Sequence, residues 1–336
     1  MFETIKSAFL KIISFFMMIW TAIFGVNTND NQTVTDIPVE PDNQTEYVEC
    51  INSIGLYENT IDTAIPQTEI YNIISEHFTS ALPEGKTVKK AIVIGYDGCR
   101  ADSLSLLDDA HESAFLTMTA DGAHTYLSYC GGKNYPETNT QATSTAPGWC
   151  SMLCGCWADE HGITDNGIEK SIDCPILLRS LVENGTINGS AFCVSWSGHF
   201  SCDGATYLLE KNYCVEKGLN VQFLKADDDN GTYANTLNCV TAADGPDFIF
   251  SIFEHCDHAG HSYGFYIQND TYKNEFYAGD AEAAEIISAI KARATYDTED
   301  WLIILTSDHG GYSTYHGSSS IQERMTFITI NKSLSK

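Results

Sequence analysis

Six side chains in this sequence could together hold metal ions. "DHAGH" places Asp257 and His261 four residues apart, and "DHGGYSTYHG" supplies Asp308, His309 and His316. The sixth, Asp97, closes the apolar run "KKAIVIGYDG". Aspartate and histidine are poor strand formers and costly to bury unpaired. Three carboxylates brought to one place without a cation would also repel one another. A metal resolves both difficulties: mixed Asp/His ligation suits zinc, or manganese where oxygen ligands dominate. Gly98, Gly260, Gly310 and Gly311 stand beside these residues and predict sharp backbone turns there. His77, His111, His124, His199, His255 and His258 do not share the spacing and read as ordinary core or surface histidines.

A hydrolytic metal site also needs a nucleophile. "NTQATSTAPGWCSMLCG" offers Thr143, Ser144 and Thr145 ahead of Pro147, a residue suited to the first turn of a helix. A hydroxyl there would sit where helix N–H groups face an anion. A nearby metal would make it a better nucleophile. The alternative for each hydroxyl is a plain helix N-cap, and the local pattern leaves all three open.

The elements that must bring these groups together follow from hydrophobic pattern. "KKAIVIGYDG", "GSAFCVSW", "PDFIFSIFEHCD", "WLIILTSDHGG" and "MTFITIN" read as strands, with three of them ending in Asp97, Asp257 and Asp308. "TEIYNIISEHF", "SIDCPILLRSLVENG" and "GDAEAAEIISAIKARATY" read as helices. Apolar strands alternating with helices predict an α/β fold, a mainly parallel central sheet covered by helices on both faces. Such sheets bind ligands outside the carboxyl ends of their strands, which is where the three acids would gather.

In chain order these motifs resemble the alkaline phosphatase superfamily, and within it most closely the type I phosphodiesterase/nucleotide pyrophosphatase branch. The residues that carry the likeness are Asp97 after a strand, Thr145-x-Pro147, "HGITDN", "DHAGH" and "DHGGYSTYH". They run from about residue 90 to the end of the chain. The resemblance implies an alkaline-phosphatase-like fold and two divalent ions, usually zinc. Asp257, His261 and His316 would hold one ion. Asp97, Asp308 and His309 would hold the other, beside the oxygen of Thr145. It implies Thr145 as the nucleophile, a phospho-threonine intermediate, and Asn166 as a donor to a phosphate oxygen, with His161 structural. A small phosphodiester or pyrophosphate is the substrate it implies. A phosphomonoesterase is the alternative; it would want a further cation, for which Arg100 and Lys133 are the neighbours in the motifs. The family's nucleotide enzymes often read "TFPNH" where this chain reads "TAPGW", so Trp149 is expected to shape the pocket, to stack on a leaving group, or only to pack. A sulfatase would carry Cys or Ser at position 145 and Arg at 149. An inactive binding relative would be expected to have lost a ligand or the nucleophile, and none is missing.

The formal charge is −27 over 336 residues, which argues against a nucleic-acid-binding surface. Residues 1–26 carry Lys6 and Lys11 and then an uncharged apolar run from Ile12 to Val26. They read as a signal peptide or signal-anchor, and the protein as extracytoplasmic, either secreted or attached to a membrane by that segment alone. Residues 27–47 read as a polar linker, 48–88 as a lead-in, and 89–336 as the hydrolase domain. Twelve cysteines without a C-x-x-C suggest disulfides in an exported protein.

Overall fold

The computed structural model describes residues 64–134, 137–167 and 171–334. The N-terminal apolar run, the linker and residues 48–63 of the lead-in lie outside the described residues. Among the described residues no helix is long and apolar enough to cross a membrane.

Eight strands form one sheet: β1 (Ile65–Pro66), β2 (Val88–Tyr96), β3 (His124–Tyr129), β4 (Ser190–Val194), β5 (Val221–Lys225), β6 (Phe248–Phe253), β7 (Glu299–Thr306) and β8 (Met325–Ile330). Their spatial order is β1-β3-β8-β7-β2-β6-β4-β5. The pairings are parallel except those of β8, which runs antiparallel to both β3 and β7. The expected mainly parallel α/β sheet is therefore present, with one reversed strand inside it.

The helices are α1 (Glu69–Thr79), α2 (Ala114–Ala120), α3 (Thr145–Cys154), α4 (Ala158–His161), α5 (Leu177–Glu183), α6 (Leu208–Lys217), α7 (Asp229–Thr241), α8 (His255–Tyr263), α9 (Asp270–Lys291) and α10 (Ile321–Arg324). Side chains alternate across a strand, so β2 feeds two cores. Ala91 and Val93 pack with Ile70 and Ile74 of α1, Met152 of α3 and Leu177 of α5. Ile92, Ile94 and Tyr96 pack with Val240 of α7 and Tyr272, Phe276 and Ile286 of α9. Each such fully buried aliphatic or aromatic side chain contributes about 1.5–3 kcal/mol over leaving it in water. Both faces being covered explains why β6 and the inner parts of β2 and β7, "AIVIGY" and "WLIIL", are nearly continuous apolar runs rather than alternating ones.

Three boundaries differ from the sequence expectation. β6 ends at Phe253, and α8 starts at His255, so Asp257 sits in the first turn of a helix rather than at a strand end. The run "FIFSIF" is apolar throughout, and the polar "EHCDHAGH" that follows has left the sheet. α5 begins only at Leu177, because Pro175 favours an extended residue before it and Ile176 is itself extended. α9 begins nine residues before Gly279, at a start where Asn269 accepts a hydrogen bond from the Thr271 N–H. Gly279 is interior to that helix and lets it approach His255 and Tyr96.

Candidate metal centre

The register of the sheet places the first pair of acids. Gly95 of β2 pairs with Thr306 of β7, so Asp97 and Asp308 each lie two residues beyond the same rung. The Asp97 N–H still bonds the Phe253 carbonyl of β6 at 2.8 Å. α8 then folds back from the end of β6 and brings Asp257 and His261 to the same edge, one turn apart on one helix. After β7 the chain turns at Gly310 and Gly311, forms a small bridge between Tyr312 and Tyr315, and returns with His316.

The result is two clusters. Ligand atoms of Asp97, Asp308 and His309 lie within 4.8 Å of one another, and so do those of Asp257, His261 and His316. The clusters adjoin, with the His309 and His316 rings 4.1 Å apart between centroids. The structure thus brings together all six residues that the sequence singled out.

Each imidazole is oriented through its Nδ1. That atom lies 2.7 Å from the Gly310 carbonyl in His309, 2.9 Å from the Thr314 carbonyl in His261, and 3.1 Å from the Thr143 carbonyl in His316. A carbonyl only accepts, so each Nδ1 carries the proton and each Nε2 presents a lone pair inward. Nε2 of His261 and Nε2 of His316 are 3.1 Å apart. Two lone pairs cannot hydrogen-bond each other, whereas a cation between them satisfies both. Asp257 Oδ1 and Asp308 Oδ2 are buried without a hydrogen-bond partner. Orphaned buried carboxylate oxygens are costly unless a cation meets them. The donor set therefore fits two divalent ions, and its nitrogen and oxygen composition fits zinc.

The electrostatics agree. Burial, and then the charge of Asp257, hold Asp97 well above the usual carboxylate range. Burial, Asp97 and Asp257 do the same to Asp308. Burial, with Glu254 nearby, pushes Asp257 up to about 7. Burial and the neighbouring imidazoles hold His309 well below its ordinary value and His316 down to about 4. His309 and His316 are thus neutral, as ligands must be, and a cation beside the three carboxyls would favour their ionised form.

Thr145 is the first residue of α3 and stands at the edge of the buried cluster. Its Oγ1 is 3.3 Å from Asp97 Oδ1 and 3.4 Å from His309 Nε2. Thr143 and Ser144, the other two hydroxyls, bond elsewhere: Thr143 Oγ1 donates to the Ser318 carbonyl and Ser144 Oγ lies 3.3 Å from His316 Nδ1. Asn166 accepts from the Ala146 N–H at 2.8 Å through Oδ1, which turns its amide Nδ2 toward Thr145 Oγ1 at 3.5 Å. His161 is buried, with Nε2 3.2 Å from Ser151 Oγ and Nδ1 accepting from the Ile163 N–H, a structural placement.

Several residues take parts that the sequence did not disclose. Trp149 is fully buried and donates its indole N–H to Asp97 Oδ2 at 2.8 Å, so it neither lines a pocket nor stacks on a leaving group. His255 is caged: burial pulls its pKa down, yet Glu282 and Glu275 at 3.1 and 2.9 Å, with Asp229, raise it to about 9, tying the start of α8 to α9. Of the four glycines expected at turns, only Gly98 has a left-handed φ, +65°. Gly260, Gly310 and Gly311 are required instead for space; a Cβ on Gly310 would stand 2.0 Å from the Gln322 carbonyl oxygen. The eleven cysteines among the described residues are all free thiols, so the disulfides expected from the cysteine count have no counterpart there. Cys150 is core-facing, donating to the Tyr207 hydroxyl at 3.3 Å.

The family model described as type I phosphodiesterase / nucleotide pyrophosphatase matches residues 190–323, so the resemblance carried by the motifs holds over that segment. The matched segment contains Asp257, His261, Asp308, His309 and His316, and leaves Asp97, Thr145 and Asn166 outside. No curated protein matches the chain in sequence. Among solved structures, murine ectonucleotide pyrophosphatase/phosphodiesterase 5 is similar at 17% identity and a TM-score of 0.47, over 66% of this chain and 57% of that one. The periplasmic domain of the phosphoethanolamine transferase EptC from Campylobacter jejuni is similar at 16% identity and a TM-score of 0.45, over 73% and 80%. A 2-O GAG sulfatase is similar at 10% identity and a TM-score of 0.46, over 72% and 64%. The chain spans less than two thirds of the length of the murine protein.

Proposed function

We propose that this chain hydrolyses phosphodiester or pyrophosphate bonds in a small substrate, through a phospho-threonine intermediate on Thr145. The observation that carries this reading is the position of the Thr145 hydroxyl, 3.3 Å from Asp97 Oδ1 and 3.4 Å from His309 Nε2, at the edge of the buried metal-fitting cluster, which the second cluster adjoins. Asp97, Asp308 and His309 would hold one divalent ion and Asp257, His261 and His316 the other, zinc in both. Bound there, the pair would lower the pKa of the Thr145 hydroxyl and offset charge on the phosphoryl oxygens.

The protein's own groups do the rest. Thr145 Oγ1 bonds to phosphorus as the bond to the departing ester oxygen breaks in line. Asp97 Oδ1 is the acceptor facing its proton. Asn166, its Oδ1 pinned by the Ala146 N–H, holds Nδ2 where a phosphoryl oxygen gains charge. The start of α3 adds the positive end of its dipole. Water then attacks phosphorus from the vacated side and releases Thr145.

A diester or pyrophosphate is favoured over a monoester by the fate of the two cations named above. Arg100 is buried against Asp102 and donates to the Phe265 carbonyl. Lys133 is paired with Asp159 at the surface. Neither is available to a third phosphate oxygen. A sulfatase is disfavoured by Thr145 and by Trp149, which is engaged with Asp97.

Turnover of bis-p-nitrophenyl phosphate, p-nitrophenyl phosphate and p-nitrocatechol sulfate, each with zinc and with chelator, tests the reading. The diester should be turned over fastest and only with metal. Diester turnover that survives chelation, or its absence with zinc, would overturn it. Thr145→Ala should retain both ions and lose turnover by at least about 10⁴-fold. From the N-terminal apolar run we also propose export, as a membrane-attached or secreted enzyme. Cell fractionation tests this, and a purely cytoplasmic pool would refute it.

A further inference from the structure

The two carboxylates of the buried cluster are each clamped by one oxygen. Asp308 Oδ1 accepts the Gly98 N–H at 3.2 Å, a backbone donor that no side-chain substitution removes. Asp97 Oδ2 accepts the Trp149 indole N–H at 2.8 Å. That clamp leaves Asp97 Oδ1 as the atom facing both Thr145 Oγ1 and His309 Nε2.

The indole is held in turn. The far edge of its six-membered ring packs onto β2, where a Cβ on Gly95 would come within 2.3 Å of it. Phe250 of β6 meets it edge-on at 5.7 Å between centroids. Gly95, two residues before Asp97, therefore makes room for the ring that orients Asp97. Trp149 lies on the first turns of α3, the same helix that begins with Thr145. One rigid helix thus carries the nucleophile and the donor that fixes the carboxylate beside it.

From this geometry we propose that Trp149 is a positioning residue. Its indole N–H occupies Oδ2, so that Asp97 would offer a bound ion and the nucleophile Oδ1 alone. The proposal rests on the two-metal reading above. Its chemistry is that of an outer hydrogen bond orienting a ligating carboxylate, an arrangement whose removal costs about 10–100-fold in metal affinity or activity.

The test is the metal titration of three full-length proteins, wild type, Trp149→Phe and Phe250→Leu, by chelator competition with zinc and by the visible spectrum with cobalt(II). Trp149→Phe keeps an aromatic ring and removes only the donor. Phe250→Leu loosens the ring's packing and keeps the donor. Thermal melts establish that each variant is folded. Trp149→Phe should weaken one of the two binding phases by about 10-fold or more. It should also weaken the cobalt visible bands, as Oδ2 joins the ion and raises its coordination number. Phe250→Leu should do neither. The proposal is overturned if Trp149→Phe leaves both phases and the spectrum unchanged, or if Phe250→Leu reproduces its effect. If the wild type itself takes up no metal, the two-metal reading is what has failed.

Discussion

The two clusters are built from the same residue types on different supports. Asp97, Asp308 and His309 are all fully buried and follow directly from β2 and β7, at the centre of the sheet. Asp257 and His261 ride on α8, and His316 on the return of a short hairpin; here one ligand is buried, one half-buried and one exposed. The inner cluster is thus fixed by strand register and low dielectric, the outer one by a helix turn and a loop. Low dielectric strengthens every charge interaction within the inner cluster and makes an uncompensated charge there more costly. The inner cluster should therefore be the tighter site and the less forgiving of change.

Asp308→Asn tests that contrast most severely. It should empty the inner site and lower kcat by about 10³-fold, the equivalent of several kcal/mol of lost charge stabilisation. Metal analysis should find one ion per chain. His261→Ala should cost less, about 10²-fold in kcat/KM, with the outer ion weakened and recoverable at high zinc. Equal losses from the two substitutions would dissolve the distinction between inner and outer sites.

Gly98→Ala sits between the clusters. It forces an alanine into a left-handed φ of +65° and sets a Cβ 2.8 Å from Asp257 Oδ1. It should lower thermal stability by about 1–3 kcal/mol. It should also weaken the outer ion more than the inner one, read as unequal shifts of the two phases in a metal titration.

The smallest effect concerns the root of β7, at the far end from Asp308. Burial pushes the Glu299 carboxyl up, but hydrogen bonds from Arg293, Trp301 and Thr295 hold it down to about 2. A carboxylate with a depressed folded pKa stabilises above its unfolded value and loses that contribution as pH falls through the folded one. Glu299→Gln should lower Tm by a few degrees at pH 7. The gap from wild type should narrow below about pH 4.5 and close near pH 2. The metal content of both sites at pH 7 should be unaltered, which separates strand anchoring from ligand geometry.

The sequence carried the parts of this molecule that rest on short-range pattern. Asp308 and His309 announced themselves because an apolar run ended on them, and β7 ends where that run does. The spacing of Asp257 and His261 was equally plain. Their element was misjudged, since "FIFSIFEHCD" runs from strand into helix with a single residue between and neither Gly nor Pro to mark the change. β3, "HTYLSY", went unread because it is short and polar and is defined by its antiparallel partner β8. Trp149 could be seen as a departure from the family pattern, but its partner Asp97 lies 52 positions away in sequence. Only the packing of α3 on β2 joins them. The four glycines were correctly tied to the site, but three of them serve clearance rather than chirality. A sequence cannot distinguish those uses without knowing what stands opposite.

Seven positions separate His309 from His316, and each belongs to a different cluster. The hairpin between them is therefore a gauge block: its contour length sets how far His316 reaches from the inner cluster toward Asp257 and His261. The inner cluster is inherited from the sheet and Asp257 and His261 from α8, but this interval is set by loop length, which insertion can alter while the core stays intact. One residue added between Tyr312 and Tyr315 should leave the fold and the inner ion in place and detune the pair.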